Sequence, residues 1–222
     1  MSTEYNSILL AKLLSVTEAD EITDVLDEMG EIGDPIFLYP IYQAYKNNKI
    51  SHISHYFLAA ISKLNSSDMI QIAFEIGENQ KTTFVDLTYV LEIFDNKKIY
   101  EQRAVEIALR ALRTFISEKN SNYEYDLYSI LTYLKKASSL SYIEEELVQI
   151  FTSDEFNSKS REYAFSKWLE IDPKKNIQII INTFDDIRSN SEQENLIAKV
   201  ISNWKGPKSE ALKQMIEAKG GL

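Results

Sequence analysis

Clusters of polar and turn-forming residues interrupt this chain at short, regular intervals, and that rhythm is its strongest structural constraint. Breaks fall at Gly30–Asp34, Asn47–Lys49, Asn65–Ser67, Glu78–Lys81, Asp95–Lys97 and onwards to Gly206–Pro207. Eleven breaks leave twelve segments, most of them 12 to 20 residues long. That is the length of an ordinary globular helix and too long for a strand. Only six glycines and four prolines occur in 222 residues. Such a count excludes a turn-rich β-sandwich, a collagen-like or low-complexity chain, and a Gly-rich phosphate loop. The expected fold class is all-α.

The segments carry helical periodicity. Val105, Ala108, Leu109, Leu112 and Ile116 recur at helical spacing, with Arg103, Glu106, Arg110 and Arg113 on another face. Ile143, Leu147, Ile150 and Phe151 do the same around Glu144–Glu146. Starts look capped: Thr17 before Glu18 and Asp20, Asp34 before Pro35, Asp172 before Pro173, and Asn190/Ser191 before Glu192 and Glu194. The β-branched run Ile177–Ile181 is read as helix, because it follows an Asp-Pro cap and a lone strand has nothing to pair with. The firmest helices are expected at 34–47, 49–64, 99–118 and 159–171.

Two helices with their loops average about 36 residues, the span of a helical-pair repeat. Residues 33–64, GDPIFLYPIYQAYKNNKISHISHYFLAAISKL, resemble one HEAT-type repeat, with Asp-Pro opening its first helix and Pro40 inside it. Residues 159–184 resemble the second helix of one repeat running through Asp172–Pro173 into the next, and EQRAVEIALRAL at 101–112 resembles another second helix. The chain is thus similar to degenerate HEAT-like or armadillo-like repeats. The resemblance implies a single α-solenoid domain over 1–222, about six antiparallel helix pairs in a right-handed superhelical stack. Second helices would line its concave side.

Charge narrows the partners. There are 24 basic and 34 acidic residues, a net charge of −10. The first 158 residues carry −12 and the remainder +2. A nucleic-acid-binding surface needs the opposite excess, so no nucleic acid is expected. The densest acidic stretch, Glu18 to Asp34, contains no Lys or Arg. Asp20, Asp24, Asp27 and Glu31 are spaced four, three and four apart, which places them on one helix face. Ile22, Val25, Leu26 and Met29 would form the buried stripe opposite. The acidic face serves either solubility or the docking of a basic protein. Tyrosines cluster at Tyr39, Tyr42, Tyr45 and Tyr56, and again at Tyr123, Tyr125, Tyr128 and Tyr133. Tyr42, Tyr45 and Tyr56 join the acidic residues as candidate contacts, since tyrosine suits interfaces as well as cores.

Chemistry finds little purchase. There is no cysteine, hence no disulfide, thiolate metal site or thiol nucleophile. The only histidines, His52 and His55, share a helix face three residues apart without HExxH or a nearby acid, so no metal and no cofactor is expected. No G-x-S-x-G turn is present. Trp168 and Asp172, with Trp204 further on, are similar in spacing to the aromatic-plus-carboxylate pocket of HEAT-like alkylpurine DNA glycosylases. There the carboxylate stabilises positive charge on the sugar and Trp rings face the cationic base. That alternative competes with a core tryptophan and a helix-capping aspartate.

The opening MSTEYNSILLAKLLSV lacks a basic leader and a cleavage site, and no stretch nears 18 apolar residues, so a cytoplasmic location is expected. The leading reading is a non-catalytic, protein-binding scaffold; a toxin-neutralising immunity protein is one concrete form of it.

Overall fold

Eleven α-helices joined by short turns make up the described part of the chain in a computed structural model, which covers residues 3–47, 51–119, 124–187, 196 and 199–203. In order they are α1 (Thr3–Ser15), α2 (Ala19–Ile32), α3 (Leu38–Asn47), α4 (Ser54–Lys63), α5 (Met69–Glu78), α6 (Phe84–Asn96), α7 (Gln102–Ser117), α8 (Glu124–Lys136), α9 (Glu144–Thr152), α10 (Ser158–Ile171) and α11 (Pro173–Ile187). Single 3-10 turns at Pro35–Phe37, Ser51–Ile53 and Leu140–Ile143 lead into α3, α4 and α9. Among the described residues there is no strand, and Ile177–Ile181 lies inside α11. The sequence places one domain over 1–222; the residues cluster into two compact units, 1–108 and 109–222, with the division inside α7.

In the first unit, periodicity dictates packing. Ile22, Val25, Leu26 and Met29 of α2 recur at i, i+3, i+4 and i+7, and all are buried. They face α4, whose Phe57, Leu58, Ala60 and Ile61 are buried in turn. Even-numbered helices form one row, α2 on α4 and α4 on α6, while α1 packs on α3; consecutive helices α1 with α2, α3 with α4 and α5 with α6 pack as pairs. Gly30 makes the α2–α4 approach close: a Cβ there would lie 3.4 Å from the Ala60 Cα and 3.0 Å from the Lys63 side chain. Gly33, at φ +68°, ends α2 in the left-handed conformation that glycine adopts without strain.

Caps locate the helix starts. Asp34 Oδ1 accepts from the Ile36 amide at 3.0 Å, and Pro35 takes the first position of the turn. Thr83 caps α6, Asn157 caps α10, and Asp172 Oδ1 accepts from the Lys175 amide at 3.1 Å at the start of α11. The expected cap at Thr17 is not formed. The helix begins one residue later, with Glu18 at its boundary and no side-chain cap bond. The expected start at Asn190/Ser191 lies outside the described residues.

With so few glycines, other residues close helix ends. Lys98, Lys119 and Ser138 take left-handed φ of 58°, 51° and 56° after α6, α7 and α8. The next amides complete the closure: Ile99 to the Phe94 carbonyl at 2.8 Å, and Ser139 to the Leu134 carbonyl at 2.9 Å.

In the second unit α10 is the hub, packing on α8, α9 and α11. Its Phe165 and Trp168 are buried against Phe151, with ring centroids 5.2 and 5.5 Å away. Charged pairs tie alternate elements: Lys159 to Glu124 at 2.7 Å, Lys135 to Glu170 at 2.8 Å, Lys175 to Glu144 at 2.9 Å and Arg113 to Glu146 at 3.6 Å.

Candidate functional site

α2 presents its acidic side to solvent because its apolar stripe is committed to α4. Asp20, Asp24, Asp27 and Glu31 are all exposed. No Lys or Arg lies within α2, and its last turn carries no basic residue to match its dipole. Among the described residues one cation approaches from outside: Lys63 Nζ stands 3.8 Å from Asp27 Oδ1, with both side chains about half exposed, a pair that water largely screens. Asp24 and Glu31 have no side-chain partner among the described residues. The structure therefore brings the four expected carboxylates together as one solvated face.

The three candidate tyrosines part company. Tyr56 is at the surface of α4, 37% exposed, its ring 4.4 Å from His55. His55 also lies 5.5 Å from Tyr89, so a small aromatic group extends from α4 to α6. Tyr42 is buried, 5% exposed. Burial pushes its hydroxyl pKa upward, with a hydrogen bond to Glu75 adding to the effect. Tyr45 is likewise turned inward. Its hydroxyl donates to Asp86 Oδ2 at 3.2 Å, and its ring meets Phe57 edge-on at 6.3 Å. Burial, then the Asp86 charge, raises its pKa too.

A shared device emerges that spacing along the sequence does not reveal. Tyrosine hydroxyls in the first unit clasp carboxylates of other segments: Tyr5 with Glu28, Tyr39 with Asp68, Tyr42 with Glu75, and Tyr45 with Asp86. Asp86, only 3% exposed, also accepts from the Ser54 hydroxyl at 2.7 Å. A buried carboxylate needs this kind of compensation. A phenol supplies it without a second charge to desolvate.

Other candidates resolve into structural roles. Arg103 forms a fork on Glu78, with Nη2 to Oε2 at 2.8 Å, and covers the Phe74 ring at 4.2 Å. That hydrogen bond holds Glu78 below the usual carboxylate range. Of the arginine stripe, Arg103 thus pairs with α5, while Arg113 pairs with Glu146 of α9. Trp168 is 5% exposed inside the aromatic core, and Asp172 is an exposed cap at the start of α11. Trp204 lies outside the described residues. No group of three or more His, Asp or Glu among the described residues is arranged to hold a metal ion. No described helix is long and apolar enough to cross a membrane.

The central tyrosine cluster divides as well; Tyr123 lies outside the described residues. Tyr133 is buried, whereas Tyr125 and Tyr128 are exposed at 77% and 43%. Tyr128 meets Tyr163 edge-on at 4.6 Å in a cleft of about 390 Å³ that Lys167 and Lys199 also line. Those two lysines are held by Glu170 and Glu162. Burial, then Tyr128, pushes the Tyr163 hydroxyl up to about 12.

Comparison with known proteins returns no relative: no family model, curated protein or solved structure matches the chain.

Proposed function

We propose that the chain is a non-catalytic protein-binding scaffold, a HEAT-like α-solenoid whose acidic N-terminal face takes a basic protein. The observation that carries the binding surface is the row Asp20, Asp24, Asp27 and Glu31, exposed on a helix without a basic residue. Mutual repulsion among these carboxylates is relieved when a cationic surface arrives, and attraction over several ångströms speeds encounter. Tyr56 adds exposed aromatic area on the neighbouring helix. Neutralisation of a basic toxin by an immunity protein in the cytoplasm is one form of this function.

The solenoid reading draws support from the sequence distance between bonded partners. Lys159–Glu124, Lys119–Glu155, Lys199–Glu162 and Lys175–Glu144 are 35, 36, 37 and 31 residues apart. Tyr39–Asp68, Tyr45–Asp86 and Ser54–Asp86 are 29, 41 and 32 apart. Side chains that meet one helix pair later are what stacked two-helix repeats produce.

The test begins with capture of a partner by pull-down. Asp20, Asp24, Asp27 and Glu31 are then changed together to Asn or Gln. The expected result is a slower association rate with a flatter salt dependence and an unchanged fold. An unchanged rate and salt slope would leave the row as a solubility feature. Tight, salt-sensitive binding of duplex DNA by the native chain would overturn the protein-binding reading itself.

A further inference from the structure

We propose that the outer face of α1 is a self-association surface that pairs with α1 of a second copy, antiparallel, about a two-fold axis beside Ile8. α1 buries Asn6, Leu9 and Leu13. These residues sit at i, i+3 and i+7 and face the helices it packs on, α2 and α3. The other side is left with apolar groups in water: Ile8 is 56% exposed and Leu14 81% exposed, with Ala11 exposed between them.

Charge indicates the occupant. Glu4, Ile8 and Lys12 are exposed and four residues apart, so they form one ridge along the helix. Neither the Glu4 carboxylate nor the Lys12 ammonium has a partner among the described residues. A two-fold axis at Ile8 sets Ile8 against Ile8 of the second copy and each Glu4 against the other copy's Lys12. This is the self-complementarity an isologous contact requires. A parallel arrangement would instead oppose like charges. The same face suits a basic partner poorly, since Lys12 lies in it; that function belongs to α2.

The contact is small. One 13-residue helix falls below the roughly 1,200–2,000 Å² total of a standard interface, and two chains of net charge −10 repel each other. A weak, reversible dimer is expected at physiological ionic strength, where that repulsion is screened.

Sedimentation equilibrium of the whole chain over a concentration series tests this. The native protein should show a monomer–dimer equilibrium, and Ile8→Asp should abolish it with the helical circular-dichroism spectrum unchanged. Glu4→Lys alone and Lys12→Glu alone should each weaken the dimer by about three- to tenfold, because each sets like charges opposite one another. The double variant Glu4→Lys/Lys12→Glu should restore native affinity. A native chain that remains monomeric to its solubility limit, or a double variant no stronger than the singles, would overturn the proposal.

Discussion

The Tyr45 hydroxyl reaches across from α3 to the buried Asp86 carboxylate of α6, 3.2 Å away, and shares that acceptor with Ser54 of α4. One carboxylate thereby joins three helices without any of these contacts involving a cation. Tyr45→Phe should destabilise the protein by about 1–2 kcal/mol, since it leaves a buried charge short of a donor. Tyr39→Phe removes a similar bond to Asp68, but at an exposed site. It should cost within about 0.5 kcal/mol, as surface changes do. Urea unfolding of both variants checks the contrast; equal losses would show that burial of Asp86 does not matter.

Alkaline pH should unfold the protein by way of Tyr42, Tyr45 and Tyr163. All three hold their protons more tightly folded than at the ordinary phenol value of 10.0. A raised folded pKa on a group that is neutral when protonated stabilises the fold fully below pH 10.0. That contribution is lost as pH rises from there towards the folded values, about 12 for Tyr163. Ultraviolet titration should show a late, steep phase of tyrosine ionisation that coincides with loss of helix. A single phase near the free value with helix intact would contradict this.

Salt should separate the two units. The second is tied by the exchange of whole charges, Lys159–Glu124, Lys135–Glu170 and Lys175–Glu144. The first relies more on phenol–carboxylate bonds. At about 1 M salt the screening length falls to about 3 Å and exposed ion pairs lose most of their attraction. Amide exchange in α8–α11 should then accelerate more than in α1–α6. Uniform acceleration would mean that these pairs contribute nothing distinctive.

Ser138→Gly should stabilise the protein by about 0.5–1 kcal/mol. Ser138 sits at φ 56°, where a side chain is strained and glycine is not, and that relief outweighs the added freedom of the unfolded chain. Thermal unfolding measures it, with Lys98→Gly as a companion at φ 58°. A lower midpoint for both variants would show that unfolded-chain entropy dominates.

Helices were legible wherever local rules act alone. The Asp34–Pro35 and Asp172–Pro173 starts appear as expected, and α10, expected at 159–171, spans Ser158–Ile171. The expected helix at 34–47 instead opens with a 3-10 turn before α3, and within the expected 49–64 a 3-10 turn at Ser51–Ile53 precedes α4. The gap between α1 and α2, Val16–Glu18, holds neither glycine nor proline, so only the acidic start after Thr17 marked it in the sequence. The acidic row was legible because four residues on one face is a local pattern. The roles of Tyr42 and Tyr45 were not, because their partners Glu75 and Asp86 lie a helix pair away in sequence. The pairing of Arg103 with Glu78 was hidden for the same reason, since the two are 25 residues apart.

The phenol clasps change what an acidic composition costs this chain. In a protein that matches acids with lysines, internal cohesion and net charge are linked, and lowering the isoelectric point means giving up pairs. Here Glu28, Asp68, Glu75 and Asp86 are engaged by hydroxyls that bring no positive charge. The first unit can therefore drift further towards acidity, or be recharged by adding lysines at open surface positions, without rewiring its interior. Removing the clasped acids is the one route to neutrality closed to it.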